Sequence, residues 1–444
     1  MRTELCDRFG IDYPIFVFTP SEKVAAAVTR AGGLGVLGCV RFNDADDLER
    51  VLCWMDENTD GKSYGVDVVM PAKVPQEGSA VDINKLIPQS HRDFVAKTLA
   101  ELGVPLLPDD EERNEGVLGW LHSVARSHVE VALKHPIKLI ANALGSPPKV
   151  VIDQAHDAGV PVAALAGSAK HAQRHVDNGV DIVVAQGHEA GGHTGEIGSM
   201  VLWPEIVDAL GGRAPVLAAG GIGTGRQVAA ALALGAQGVW MGSAFLTSAE
   251  YDLGHGKPSG VSTIQEALLR ATSSDTVRRR IYTGKPARLL KTRWTDAWDA
   301  PDAPEPLPMP LQNILVSEAH QRMNESDNPD YRRDAGRPDR RSDERDPACR
   351  RHRRGTGAGL RGRHPATGWH PRQLSLGLRA MRFARCRYAG LASTTLRGEA
   401  VCTTRVIRNP ASHSRSRYSA AVRSRAPRFS IISRSTHFPA KSRS

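Results

Sequence analysis

Little in this sequence is built for a membrane, an oxidising compartment or a metal cluster. No run of about 18 apolar residues occurs, so a transmembrane helix is not expected. The opening Met1-Arg2-Thr3-Glu4-Leu5-Cys6-Asp7 brings in acid at once and has no apolar core region, so it does not read as a secretory signal. Cysteines stand at positions 6, 39, 53, 349, 386 and 402 and form no C-x-x-C pair. That spacing suggests neither a disulfide framework nor a zinc ribbon, and no metal is expected. These absences together predict a cytoplasmic protein. An early G-x-G-x-x-G followed about 20 residues on by an acid is also missing, which argues against a dinucleotide-binding fingerprint.

Charge is present but unevenly spread. The whole chain of 444 residues carries a net +10. Residues 337–444 hold 25 Arg and 1 Lys against 5 Asp and Glu. Residues 1–336 hold 32 basic against 43 acidic residues. An acidic body of about 330 residues therefore precedes a strongly basic tail, and the two need separate explanations.

Eight short, mostly apolar runs in the body read as strands buried on both faces. They are Pro14–Phe18, Leu34–Cys39, Tyr64–Met70, Lys138–Ala143, Val160–Ala166, Asp181–Gln186, Ala214–Ala219 and Gly238–Phe245. Amphipathic, Ala-rich stretches lie between them. Ser21–Ala31 opens on a capping serine and closes at Gly32-Gly33, and later stretches close at Gly159, Gly179, Gly211 and Gly235. Strand, loop, helix and glycine recur as parallel βα units do. Eight such strands predict a closed α/β TIM (β/α)8 barrel over 1–330, with a doubly wound open sheet as the alternative. Residues 71–137 break the rhythm with Pro-rich and charged text and two helical patterns, near 89–103 and 117–134. They read as an insertion after the third strand.

Two loops carry the chemistry. Val216–Gln227 runs from a buried strand into Gly220-Gly221, Gly223 and Gly225, then a helix. The next strand ends in Gly242 and Ser243. Glycine lets backbone N–H groups approach an anion, and barrels commonly hold phosphate between their last two βα loops. Ala185–Gly195 follows the sixth strand and contains Gln186, His188, Glu189, Gly191, Gly192 and His193. Its paired glycines allow close approach of a flat ligand, and its histidines could exchange a proton near neutrality. His193, inside Gly-Gly-His-Thr-Gly, is the catalytic candidate. His188 reads as a loop residue.

At these residues the sequence resembles the nitronate monooxygenase (2-nitropropane dioxygenase-like) family. The segments that carry the likeness are 31–38, 186–195, 214–227, 235–246 and 283–294. The resemblance implies FMN, with its phosphate at Gly220, Gly221, Gly242 and Ser243, its ring near Gln186, Gly191 and Gly192, and substrate near His193. It also implies electron transfer from a bound nitronate to the flavin, with O2 consumed and a carbonyl compound and nitrite formed. Related flavin reductases of enoyl thioesters draw on NAD(P)H instead. Two positions depart from the family. Asp67 stands where relatives often have Asn beside the flavin ring. Phe18-Thr19-Pro20 stands where they often have Ala-Pro-Met, so Thr19 and Ser21 become candidate polar contacts.

From about 331 onward arginine and serine dominate and no helical or strand period persists. A nucleic-acid-binding tail is suggested by charge alone, but it lacks a known fold or regular aromatic interleaving. A solvated disordered segment is a second reading. Translation in a shifted frame is the third and favoured one. Codons for Asp334–Asp346 exist that, read one base on, spell Met-Pro-Ala-Gly-Gln-Ile-Val-Gly-Arg-Met-Asn-Glu-Ile, which looks like the closing segment of this family.

Overall fold

The computed structural model describes residues 2–42, 44–70, 83–108, 122–251, 263–326, 328 and 330. The basic tail and most of the Pro-rich and charged text of 71–137 lie outside the described residues.

Eight parallel strands close into a barrel. In ring order they are β1 (Ile15–Thr19), β2 (Leu34–Gly38), β3 (Tyr64–Val68), β4 (Ile137–Asn142), β5 (Val162–Ala166), β6 (Ile182–Gln186), β8 (Val216–Ala219) and β9 (Gly238–Met241). Closure is made by β1 against β9, with Phe16 opposite Trp240. All eight expected strands are present, and their ends differ by a few residues. The largest difference is in the last: the strand stops at Met241, and Ser243–Phe245 forms a 3-10 turn. Gly242, at φ −140° and ψ −75°, turns the chain out of the sheet.

Alternation within each strand sorts the core into two layers. Phe16, Leu34, Val36, Leu139, Ala163, Val184, Leu217 and Trp240 fill the barrel interior. Val17, Val66, Ile140, Val183 and Val239 point outward to the helices. The surrounding helices include α2 (Glu22–Arg30), α3 (Ala45–Asn58), α6 (Lys149–Asp157), α7 (Ala169–Asp177), α8 (Ser199–Leu210) and α9 (Gly225–Ala233). Ser21 caps α2 by accepting from the Val24 N–H. Its own hydroxyl donates to the Glu250 carbonyl.

The segment after β3 does two jobs. Helix α5 (His122–Ala132) belongs to the barrel wall, because Ala125, Val129 and Ala132 join the core beneath β3 and β4. Helix α4 (Gln89–Glu101) instead enters a separate apolar cluster. Val95 and Leu99 of α4 meet Trp294 and Trp298 of α11 (Arg293–Trp298) and Leu315, Val316 and Met323 of α12 (Leu311–Glu325). A small antiparallel sheet joins this cluster to the barrel. Its strands are β10 (Thr276–Arg279), β11 (Ala287–Leu290) and the two-residue β7 (Gly192–His193). Ala287 pairs with His193 and Arg288 with Gly192. This second layer thus grips the loop that follows β6.

Candidate functional site

The loops after β6, β8 and β9 converge at the C-terminal mouth of the barrel. A methyl group on Gly191 would lie 2.4 Å from the Ser243 hydroxyl, so the first and third loops touch. A methyl on Gly220 would lie 2.5 Å from the Ser199 hydroxyl, and Gly220 itself sits at φ +113°. Only glycine fits either position without a shift. Gly221 lies against Glu189, and Gly223 beside Ala244. The loops that carry Gly220, Gly221, Gly242 and Ser243, the four positions expected to cradle phosphate, are therefore neighbours.

Anion-binding capacity can be assigned within this cradle. The carboxylate of Glu189 accepts from the Ser199 N–H at 2.8 Å and from its hydroxyl at 2.7 Å, which occupies the start of α8. Burial pushes the Glu189 pKa up, but the Ser199 bonds outweigh it and hold the pKa below the usual value. Helix α9 is arranged otherwise. Its N-cap Thr224 makes no side-chain capping bond. The Thr224 hydroxyl donates instead to Gln227 Oε1, which also accepts from the Gly223 N–H, and Gln227 Nε2 donates to the Gly221 carbonyl. Gln227 thus braces the glycine loop while the first N–H groups of α9 remain uncapped by a side chain, as a phosphate requires.

The floor is set by the last inward-facing residues of the strands. Phe18 and Leu165 are apolar and pack on the interior cluster. Asp67 and Gln186 alternate with outward-facing Val66 and Ala185, so both face inward. Asp67 is only 2% exposed. Burial raises its pKa well above the usual carboxylate value. Desolvation of this kind favours the protonated acid over the carboxylate. Thr19 is also buried, and its hydroxyl accepts the Ser21 N–H at 3.1 Å.

His193 forms part of the wall. Its Nε2 lies 2.6 Å from the Thr283 hydroxyl, and its ring is 6.3 Å from that of Tyr282. Thr283 is fully buried and accepts the Lys285 N–H, so its own hydrogen can turn to His193. Burial first, and the nearby Lys285 charge second, lower the His193 pKa to about 4. His188 serves the loop instead. Its carbonyl accepts two bonds from the Arg288 guanidinium, which also reaches its Nδ1 at 3.0 Å.

A cleft of about 1180 Å³ opens beside these groups. Gln186, His193, Lys285 and Leu165 line its inner end, and Ser168 and Arg174 of the β5–α7 region line its outer part. Sequence reasoning missed Thr283, Tyr282 and Lys285 as site residues. They lie within the 283–294 motif or next to it, but only the antiparallel sheet delivers them to His193.

Among the described residues no helix is long and apolar enough to cross a membrane. A family model described as nitronate monooxygenase matches residues 3–337. A Mycobacterium tuberculosis protein named as a monooxygenase is 49% identical over 333 residues, covering 73% of this chain and 86% of the relative. A Staphylococcus aureus protein named as a nitronate monooxygenase is 29% identical over 335 residues, covering 71% and 85%. Nitroalkane oxidase from Streptomyces ansochromogenes superposes with a TM-score of 0.60 at 27% identity, covering 74% of this chain and 90% of that one. FabK from Thermotoga maritima shares the fold at a TM-score of 0.51 and 24% identity, covering 73% and 97%.

Proposed function

The chain belongs to the nitronate monooxygenase family of flavin-dependent oxidoreductases, and on that premise we propose that it holds FMN and oxidises small alkyl nitronates with O2, giving a carbonyl compound and nitrite. The observation that carries this reading is the placement of His193. It stands on the wall of the cleft, fastened to Thr283, beside Gln186 and the converging glycine loops.

The residues fit the cofactor. Gly220, Gly221, Gly242, Ser243 and the start of α9 would hold the phosphate, in a cradle where a methyl group added at Gly220 would collide. Gln186, Gly191, Gly192 and Asp67 would border the ring, while Thr19, on the same side of β1 as outward-facing Val17, would brace the loop behind it through its bond from the Ser21 N–H. Burial favours the protonated form of Asp67, and a protonated carboxyl can donate a hydrogen bond as the amide of Asn would. When bound, FMN supplies the electron acceptor for the nitronate and the centre at which O2 is consumed.

The chain's own share is to bind, orient and exclude water. A histidine with a pKa near 4 is neutral at physiological pH and is a weak base there. It is better suited to hydrogen-bonding the oxygens of a preformed nitronate than to deprotonating a neutral nitroalkane. Lys285, solvent-exposed beside it, adds positive field for an anion. Fixing His193 through Thr283 means that little reorganisation is needed when the anion arrives.

Anaerobic flavin reduction in the full chain tests this. Propyl nitronate should bleach the flavin spectrum, NADH should not, and His193→Ala should retain FMN while losing most of the nitronate rate. Bleaching by NADH alone would instead make the protein an NADH-dependent reductase of enoyl or related thioesters. Full activity in His193→Ala would remove His193 from the site.

A further inference from the structure

At the opposite end of the barrel, where β3 and β4 begin, Glu49, Cys53 and His135 face one another. One ligand atom from each lies within 4.8 Å of the others. Glu49 and Cys53 are one helical turn apart on α3 and therefore share a face. His135 comes from the turn between α5 and β4. We propose that these three side chains form a site for a zinc-class divalent cation, with Asp56 and Tyr64 as its supporting layer.

The histidine geometry carries the argument. His135 Nδ1 lies 2.7 Å from Asp56 Oδ2, and Asp56 Oδ1 accepts the Tyr64 hydroxyl at 2.8 Å. Asp56 can only accept here, so the Nδ1 atom carries the hydrogen and the ring is fixed by a carboxylate that is itself fixed. Metal-binding histidines are oriented in this way, which presents the other nitrogen as a ligand. That nitrogen, Nε2, belongs to a side chain only 5% exposed, and it is buried with no hydrogen-bond partner. It points at Glu49 Oε2 from 3.5 Å. A charge-assisted hydrogen bond would close to about 2.7–2.9 Å. Two ligands each about 2.0–2.2 Å from a tetrahedral zinc stand at roughly the observed separation.

The donor set also selects the ion. A thiolate, an imidazole and a carboxylate form a mixed nitrogen, oxygen and sulfur set, which suits zinc better than magnesium or calcium. Glu49 is 38% exposed, which leaves the fourth position open to water. Binding would displace the Cys53 thiol proton to solvent, so affinity rises with pH. The consequence is mechanical. The cation would tie α3 to the turn before β4, on the face away from His193, and stabilise the barrel without entering the flavin chemistry.

Alkylation of Cys53, read on its own peptide by mass spectrometry, tests the site in the full chain. Peptide-level reading keeps the cysteines at 349, 386 and 402 out of the result. Added Zn2+ should slow Cys53 alkylation at least about tenfold relative to EDTA, and Asp56→Asn should weaken zinc affinity about 10- to 100-fold. Glu49→Gln and His135→Gln should each restore the rate seen in EDTA. Circular dichroism confirms folding, and partly exposed Glu49 offers the milder change should His135→Gln fail to fold. Co2+ should give the absorption of a tetrahedral thiolate complex that is lost in Cys53→Ser. Alkylation indifferent to Zn2+ in the folded parent, or protection that survives Glu49→Gln, overturns the proposal. The cluster is then an imidazolium held between carboxylates.

Discussion

His193 Nε2 and the Thr283 hydroxyl lie 2.6 Å apart, although 90 residues separate them in the chain. The bond crosses from the barrel loop to the outer antiparallel sheet, and it fixes the face that His193 turns to the cleft.

Replacing Thr283 with valine keeps the volume and removes this bond. Flavin content should be retained, and kcat/KM for a nitronate should fall about 5- to 150-fold, the loss expected when a functional group forfeits roughly 1–3 kcal/mol of orientation. Steady-state kinetics together with the flavin-to-protein ratio provide the check. An unchanged kcat/KM would mean that Thr283 does not position His193.

Acid should destabilise the protein well before its carboxylates titrate. Burial lowers the His128 pKa to about 4, against an ordinary 6.5. His193 is lowered to about 4 as well. Both prefer the neutral form when folded, so the unfolded chain binds more protons between these values. Their stabilising contribution is full above pH 6.5 and is lost as pH falls from about 6.5 to 4. Urea titrations at pH 7.5 and 5 should show the loss, and His128→Leu should flatten it. Equal stability at both pH values in the parent would contradict the assignment.

Asp67 should behave in the opposite sense. Its raised pKa means that the folded state favours the protonated acid, so stability declines as pH rises through the folded value. Asp67→Asn should bind FMN as well as the parent and be more stable at alkaline pH, by roughly 1–3 kcal/mol. Thermal melts at pH 7 and 9 would show it. A variant that melts lower than the parent at pH 9 would mean that the carboxylate is ionised and useful there.

Gly220→Ala should expel the cofactor. The new methyl would meet the Ser199 hydroxyl at 2.5 Å and sit on a backbone at φ +113°. Strain of about 1–3 kcal/mol is expected, concentrated in the phosphate loop. Fluorescence titration with FMN should show at least about tenfold weaker binding. Normal FMN affinity would place the phosphate elsewhere.

The basic tail poses a question of sequence. Nucleotide sequencing of the gene should show that the codons for Asp334–Asp346, read one base on, spell the Met-Pro-Ala-Gly-Gln closing segment. Codons that cannot do so would return the tail to the nucleic-acid or linker readings, which salt-dependent DNA binding would separate.

Local pattern made the barrel legible. Strands such as Ile182–Gln186 are buried on both faces and so run apolar without alternation, and the helix caps at Ser21 and Gly179 punctuate them. The cap was less legible. β7 is only two residues long, and its partner Ala287-Arg288 lies about 95 residues on, so no window of sequence contains the pair. Pro-rich and charged stretches precede helix α5, so the sequence places it within an insertion, and only its packing on β3 and β4 returns it to the barrel wall.

By itself the sequence determined the parallel βα rhythm, the glycine loops after β8 and β9, and the candidacy of His193. These follow from burial and backbone freedom, which leave marks on neighbouring residues. Tertiary structure alone decided that Thr283 holds His193, that burial pushes the Asp67 pKa up, and that Glu49, Cys53 and His135 share one small volume. Hydrogen bonds, desolvation and ligand geometry depend on distances of a few ångströms between residues far apart in the chain. Those distances exist only once the barrel has closed.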